Sequence, residues 1–514
     1  MTAYGLNRRR FLAASAALGA YGLGGPLGTA ARAQEGRVLN ARARADIAIL
    51  DPGYMLGPES ETLNAVMPRL VDFGFENGRL IWKPTNYVSQ IAEADPTHIG
   101  FTLKPGFQWT NGFGELTAED VKYSYERMKI SDNKGAWDVL DRVDIKDKYS
   151  GTLVLKHPFK PFWSITLTDD TATLVSMKAT ESVGGKYTTE IPATCGPYLF
   201  QWERGRRVSF TPNPTWAGPR PYFDRINYLL IKESKAADLA FEAGETDISK
   251  ITGSTLARLR ESPLPNSKIH VAGAMRYAWL GMNTEHPKLK DIRVRKAIQH
   301  AVDVDAVNGG AYPGAQRAYG IVPAGLVGKR NVTKINYDPE KSRALLAEAG
   351  VSGLQLELRT RNEHARVLAA QIVQANLAAV GITVKVIPMD RGQFSNLGQE
   401  SKGDDYKDSQ LWIQRFRADP DPFNAAQWFR RDQIGVWNWE RWSSDEFEQL
   451  YERGLAEADL DERDRIYVRM QEIMEETGAY VWLAHEEDAF VLRDWVEPYL
   501  SVAGKMRFKH FERT

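Results

Sequence analysis

The chain is 514 residues long, with 43% hydrophobic and 26% charged residues, and its 66 Lys plus Arg balance 66 Asp plus Glu. That length predicts two or three compact units rather than one core, and the composition is that of a soluble globular protein. The charge balance speaks against nucleic-acid binding, and a single cysteine, Cys195, excludes an intramolecular disulfide and a Cys-based zinc cluster and reads as a small packed side chain.

In chain order, LNRRRFLAASAALGAYGLGGPLGTAARAQ comes first: Arg8, Arg9 and Arg10 precede Phe11-Leu12 and a stretch without charge up to Arg32. Ala31-Arg32-Ala33 puts small residues at both positions a signal peptidase reads. Residues 1–33 are therefore expected to be a cleaved export signal of twin-arginine type, which implies a periplasmic protein. Gly22, Gly24, Gly25, Pro26 and Gly28 weaken the segment as a membrane-spanning helix. Its loss removes four Arg and no acid, leaving 62 basic against 66 acidic residues, and no other stretch approaches an uncharged span of membrane length.

ADIAIL (45–50) reads as a strand stopped by Asp51-Pro52-Gly53, and HIGFTLKPGFQW (98–109) alternates apolar and polar positions into a turn. LTAEDVKYSYERMK opens a helix at Thr117, with acids in its first turn. GTLVLKH and INYLLIK are further strands, and KAADLAFEAGETDI is a helix ending near Gly244. MRYAWLGMNT (275–284) predicts a strand leading into the amphipathic helix IRVRKAIQHAVDVDAV. Two more helices and a strand follow in DPEKSRALLAEAG and ARVLAAQIVQANLAAVGITVKVI, the last pair joined at Gly381. The stretch 443–476 supplies two helices, and AYVWLAHEEDAFVL (479–492) returns as a strand, so the chain is α/β and its end rejoins an earlier unit.

Five segments then act together: LDP (50–52), GFQWTNGFGELTAEDVKYSYERM (106–128), CGPYLF (195–200), IRVRKAIQHAVD (292–303) and YDPEKSRALLAEAG (337–350). In this order and spacing the mature chain resembles the extracytoplasmic solute-binding proteins of peptide, opine and nickel ABC transporters, the oligopeptide- and dipeptide-binding type known as solute-binding protein family 5. The resemblance implies an α/β, two-lobe periplasmic binding protein-like fold with an inserted subdomain in the first lobe. It places lobe I at residues 34–281 plus 487–514, the insert at about 75–190, and lobe II at 282–486, with crossings near Gly281 to Asn283 and near His485 to Asp488. It further implies a protein that closes on a small-molecule solute as a monomer and hands it to the transmembrane subunits of an ABC permease, without cofactor or metal.

In the dipeptide-binding members, a strand Trp is followed three residues later by an Asp that holds the peptide ammonium, ahead of an Asp-Pro or Glu-Pro step. Here Trp412 matches, but Arg415 stands three residues on, and counting back three from Asp419-Pro420 gives Phe416. The same members carry an Arg-x-Tyr-Asn step whose Arg grips the peptide carboxylate; Arg359 takes that place and Arg361 replaces the Tyr. With Arg359, Arg361 and Arg415 facing the cleft, the expected solute is anionic: an opine-like conjugate, a modified peptide or a phosphorylated sugar derivative. Arg417 is read either as a further ligand contact or as a surface partner of Asp419 or Asp421. Trp437 and Asn438 are expected to line the cleft, Trp439 and Trp442 to be core, and Tyr54 to face the ligand from an early loop.

Ordinary oligopeptides are the alternative cargo, and an exported carbohydrate-active enzyme the alternative class, since paired carboxylates are plentiful. Against catalysis, there is no Gly-x-Ser-x-Gly elbow, no P-loop and no His-Glu-x-x-His, and no two of the eight histidines are spaced i, i+4.

Overall fold

Strand alternation in the computed structural model, which describes residues 37–55, 57–76, 79–272, 275–486, 488–501 and 504–513, builds two large sheets. The expected export signal at 1–33 lies outside the described residues. The first sheet has seven strands in the spatial order Tyr198–Glu203, Arg207–Pro212, Arg225–Leu230, Val38–Ala43, Ile248–Ile251, Asp488–Arg493 and Ser267–Ala272. Val38–Ala43 runs parallel to both its neighbours, and the flanking pairs are antiparallel. The second sheet has six strands in the order Gln316–Arg317, Tyr480–His485, Arg276–Met282, Leu411–Arg417, Gln355–Arg361 and Thr383–Met389.

Side chains in the central strands of the second sheet alternate between two apolar layers. Ala278, Leu280 and Met282 join one core with Leu411, Ile413 and the helices His364–Ala378 and Ile292–Ala301, while Tyr277 and Trp279 join another with Tyr480 and Trp482. Burial on both faces is why these strands read as near-continuous apolar runs. Between Val38–Ala43 and Tyr198–Glu203 the chain builds a four-stranded sheet, Val88–Asp95, His98–Leu103, Ser150–Leu155 and Leu140–Ile145, on the core of the first large sheet.

Several features differ from the sequence reading. ADIAIL is not a strand: the strand is Val38–Ala43, and the irregular segment after it is pinned by Glu59, whose Oε1 accepts from Ala48 N at 2.8 Å and Ile49 N at 3.3 Å. The stretch 479–492 is two strands, Tyr480–His485 in the second sheet and Asp488–Arg493 in the first. Likewise Arg276–Met282 lies wholly in the second sheet, so the chain leaves the first sheet between Ala272 and Met275, ahead of Gly281 to Asn283. It returns between His485 and Asp488.

Candidate functional site

A hollow of about 590 Å³ and a second of about 350 Å³ share Arg42, Arg44, Lys250, Arg276 and Asp488 in their walls, forming one cleft between the sheets. A third, of about 290 Å³, adjoins the second at Arg417 and Lys505. Seven basic side chains line the largest hollow against three acidic ones, in a chain whose formal net charge is zero. Low-dielectric walls carrying one sign of charge focus the field on the space between them.

From the first sheet, Arg42 is buried and donates to the carbonyls of Ile231, Lys250 and Lys232 at 2.9, 2.7 and 3.0 Å, so it serves the framework. Arg44, just past the same strand, is exposed on the cleft wall. Two helices start at this wall, Ser234–Glu242 and Gly253–Glu261, the latter capped by Thr252 Oγ1, which accepts from Thr255 N at 3.2 Å. From the second sheet the helix His364–Ala378 brings its first turn, with Ala365 and Arg366 lining the same space. Three helix N-termini thus present partial positive charge to one hollow, the arrangement that favours anions.

The two chain crossings are laced by ion pairs. Arg276 Nη2 meets Asp488 Oδ1 at 2.5 Å and its Nε meets Glu486 Oε2 at 3.4 Å; Lys250 pairs with the other oxygen of Asp488, and Arg415 Nη1 donates to Glu486 at 2.9 Å. Lys250 and Arg276 pull the Asp488 carboxyl below the usual carboxylate range despite the opposing effect of its burial.

Of the residues singled out from sequence, Arg415 lines the largest hollow and Arg417 the second and third. Arg417 is 63% exposed and reaches Asp419 only at 4.0 Å. Arg359 and Arg361 share a face of the Gln355–Arg361 strand but line none of the three hollows. Arg359 donates to Ser409 Oγ at 3.0 Å and to Glu357 at 3.3 Å, and Arg361 to Glu363 at 3.3 Å.

The expected aromatic and amide contacts go elsewhere. Trp412 is buried, donating its indole N–H to Glu440 Oε1 at 3.0 Å and packing on Trp439, because even-numbered positions of its strand face the layer opposite Leu411 and Ile413. Gly281 permits this: a Cβ there would sit 2.2 Å from both Trp412 Nε1 and Glu440 Oε1. Asn438 is fully buried and spent on backbone, donating to the carbonyls of Phe429, Arg430 and Trp442 and accepting from Arg441 N. Trp437 is half-buried against Phe416 and Trp428, Trp439 and Trp442 are core, and Tyr54 lies under Lys186 Nζ at 3.4 Å, away from the three hollows. Arg44, Lys232, Lys250, Arg276, Tyr312 and Arg366 went unnoticed in the sequence. Only Arg366, a cation in the first turn of a helix, carries a local signal, since that is the end where cations are disfavoured.

Among the described residues no group of three or more His, Cys, Asp or Glu is placed to hold a metal, and no helix is long and apolar enough to cross a membrane.

Comparison with known proteins gives a consistent result. Residues 87–435 match the family model described as bacterial extracellular solute-binding proteins, family 5 middle. The dipeptide-binding protein of Escherichia coli (strain K12) is 24% identical over 458 residues, covering 82% of this chain and 84% of the relative. Di/tripeptide-binding protein 4 of Pseudomonas aeruginosa (strain UCBPP-PA14) is 28% identical over 476 residues, covering 82% and 86%. Among solved structures, HbpA2 from Haemophilus parasuis superposes with a TM-score of 0.81 at 22% identity, over 93% of this chain and 100% of that one. NikA from Brucella suis, in complex with Fe(III)-EDTA, gives 0.76 at 21% identity over 93% and 100%.

Proposed function

Because the chain belongs to family 5 of the bacterial extracellular solute-binding proteins, we propose that it captures a small solute bearing an anionic group in the cleft between its two sheets. The fold is the two-lobe α/β architecture of periplasmic binding proteins, and the family-level role is that of the extracytoplasmic solute-binding component of an ABC importer, not an enzyme. In this reading lobe I carries the seven-stranded sheet with the four-stranded sheet as its insert, and lobe II carries the six-stranded sheet. The twin-arginine type of signal and a monomeric state belong to the same proposal.

The observation that carries the anionic assignment is the largest hollow itself, where seven basic residues outnumber three acidic ones and three helix N-termini converge. Closure about the two crossings is driven by a solute only so far as it binds the closed form better, and an anion spanning cations of both walls does so. Arg415, standing where dipeptide binders keep an acid, also weighs against a free amine at that point. Ordinary di- or tripeptides, the cargo named for several relatives, are the competing reading.

Mass spectrometry of the solute retained through purification, followed by isothermal titration against acidic conjugates, phosphorylated sugars and unmodified peptides, tests it. Tight binding of acidic solutes is expected. Tight binding confined to unmodified cationic peptides would overturn the reading.

A further inference from the structure

Arg366 sits where local physics opposes it. It is the third residue of the His364–Ala378 helix, next to the positive end of the helix dipole, and it is only 3% exposed. Burial, aided by the nearby Arg415 and Arg361, pulls its guanidinium down to about 10. Its Nε meets Glu363 Oε2 at 3.1 Å, but Glu363 is shared with Arg361, and Nη1 of Arg366 is buried without a hydrogen-bond partner among the described residues.

A second unmet polar group lies in the same wall. The hydroxyl of Tyr312, which ends the helix Val304–Ala311, is buried and unpartnered, and its charged neighbours are Glu486, Arg366, Arg415 and Glu363. Buried donors left unmet are costly, and strain of this kind concentrates at sites completed by a ligand. Both residues line the 590 Å³ hollow, where the first turn of the Arg366 helix adds its own positive end.

We propose that Arg366 Nη1 and the Tyr312 hydroxyl together hold a carboxylate of the solute, which makes the cargo a carboxylic acid rather than a phosphate ester. Two donors suit the two oxygens of one carboxylate. A phosphate monoester would bring a third terminal oxygen for which these two donors offer no partner. This assignment rests on the solute-capture reading above and narrows it.

The test is isothermal titration of the purified full chain with N-succinyl-alanine, alanyl-alanine, the C-terminal amide of alanyl-alanine and glycerol 3-phosphate, in the wild type, Tyr312→Phe and Arg366→Gln. The wild type is expected to prefer each acid to the amide by about tenfold or more, as for a hydrogen bond to a charged group. Tyr312→Phe, which removes one hydroxyl from an otherwise unchanged ring, should lower affinity for the acids about tenfold while sparing the amide, and Arg366→Gln should lower it further. An acid-to-amide ratio that stays put in Tyr312→Phe overturns the carboxylate site even where acids still bind. A preference for glycerol 3-phosphate over both carboxylates overturns it too. No heat with any probe overturns the capture reading and this site with it.

Discussion

Arg415 donates from Nη1 to Glu486 Oε2 at 2.9 Å, tying the end of the Leu411–Arg417 strand to the segment through which the chain returns to the first sheet. Glu486 also meets Arg276 at 3.4 Å, so one carboxylate is divided between two cations at the crossing. On the proposed reading, a solute anion entering the hollow would compete with Glu486 for Arg415, and the same exchange would loosen the tie across the crossing.

Replacing Arg415 by Asp therefore sets two acids side by side where a cation and an acid now pair. Binding of acidic solutes should fall at least about tenfold, and free amines should gain, as measured by titration with matched acids and amines. The pair is partly exposed, so the folded state should lose only about 0.5–1 kcal/mol in urea denaturation. An unchanged ranking of acids over amines would remove Arg415 from the site.

Arg44 tests the field rather than a contact. It is exposed on the cleft wall, and interactions between such charges are screened over roughly 10 Å at ordinary ionic strength. Arg44→Ala should weaken acidic solutes by a factor of about two to five at low salt, with the difference from wild type closing as salt is raised. A loss that persists undiminished at high salt would mean a direct contact instead.

Asp421 should behave as framework. It accepts from Arg463 at 2.7 and 2.9 Å and from Ser164 Oγ at 2.7 Å, all buried, and caps Phe423 N at 3.0 Å. Asp421→Asn leaves the Arg463 guanidinium buried without a counter-charge, so the protein should lose about 3–5 kcal/mol in chemical denaturation. A loss under about 1 kcal/mol would show that water reaches the pair.

These residues also mark how far the sequence could be read. The alternation in 98–103, the apolar run at 276–282 and the helix at 364–378 were legible because strand and helix patterns are local. Tyr480–His485 and Asp488–Arg493 merged into one apolar run because which sheet each strand joins is decided by distant partners. Arg415 was found through its spacing from Trp412, yet Trp412 itself points away, since neighbours on a strand face opposite sides. Arg359 and Arg361 looked equivalent to Arg415, but Glu357, Ser409 and Glu363 engage them. Tyr312 and Arg366 lie 54 positions apart in the chain, and only the fold brings them to one wall.

Glu440 carries the last prediction. Its carboxyl is fully buried, with Oε1 accepting from the indoles of Trp279 at 2.7 Å and Trp412 at 3.0 Å, and Oε2 from the Tyr480 hydroxyl at 3.4 Å. Burial outweighs these bonds and raises it from the ordinary 4.5 to about 7. Between those values the folded state holds a proton that the unfolded chain has released, so stability falls as pH rises, by about 3 kcal/mol in full. His485 opposes this in the wild type: buried and lowered from 6.5 to about 4, it makes stability fall as pH drops through the same range. The difference between variant and wild type isolates Glu440. In Glu440→Gln the amide oxygen can keep both indole donors and the amide nitrogen can donate to the Tyr480 hydroxyl. The variant should match the wild type near pH 4.5 and exceed it by about 2–3 kcal/mol at pH 7, read from urea denaturation at a series of pH values. A difference that stays constant with pH would place the Glu440 proton outside the folding equilibrium.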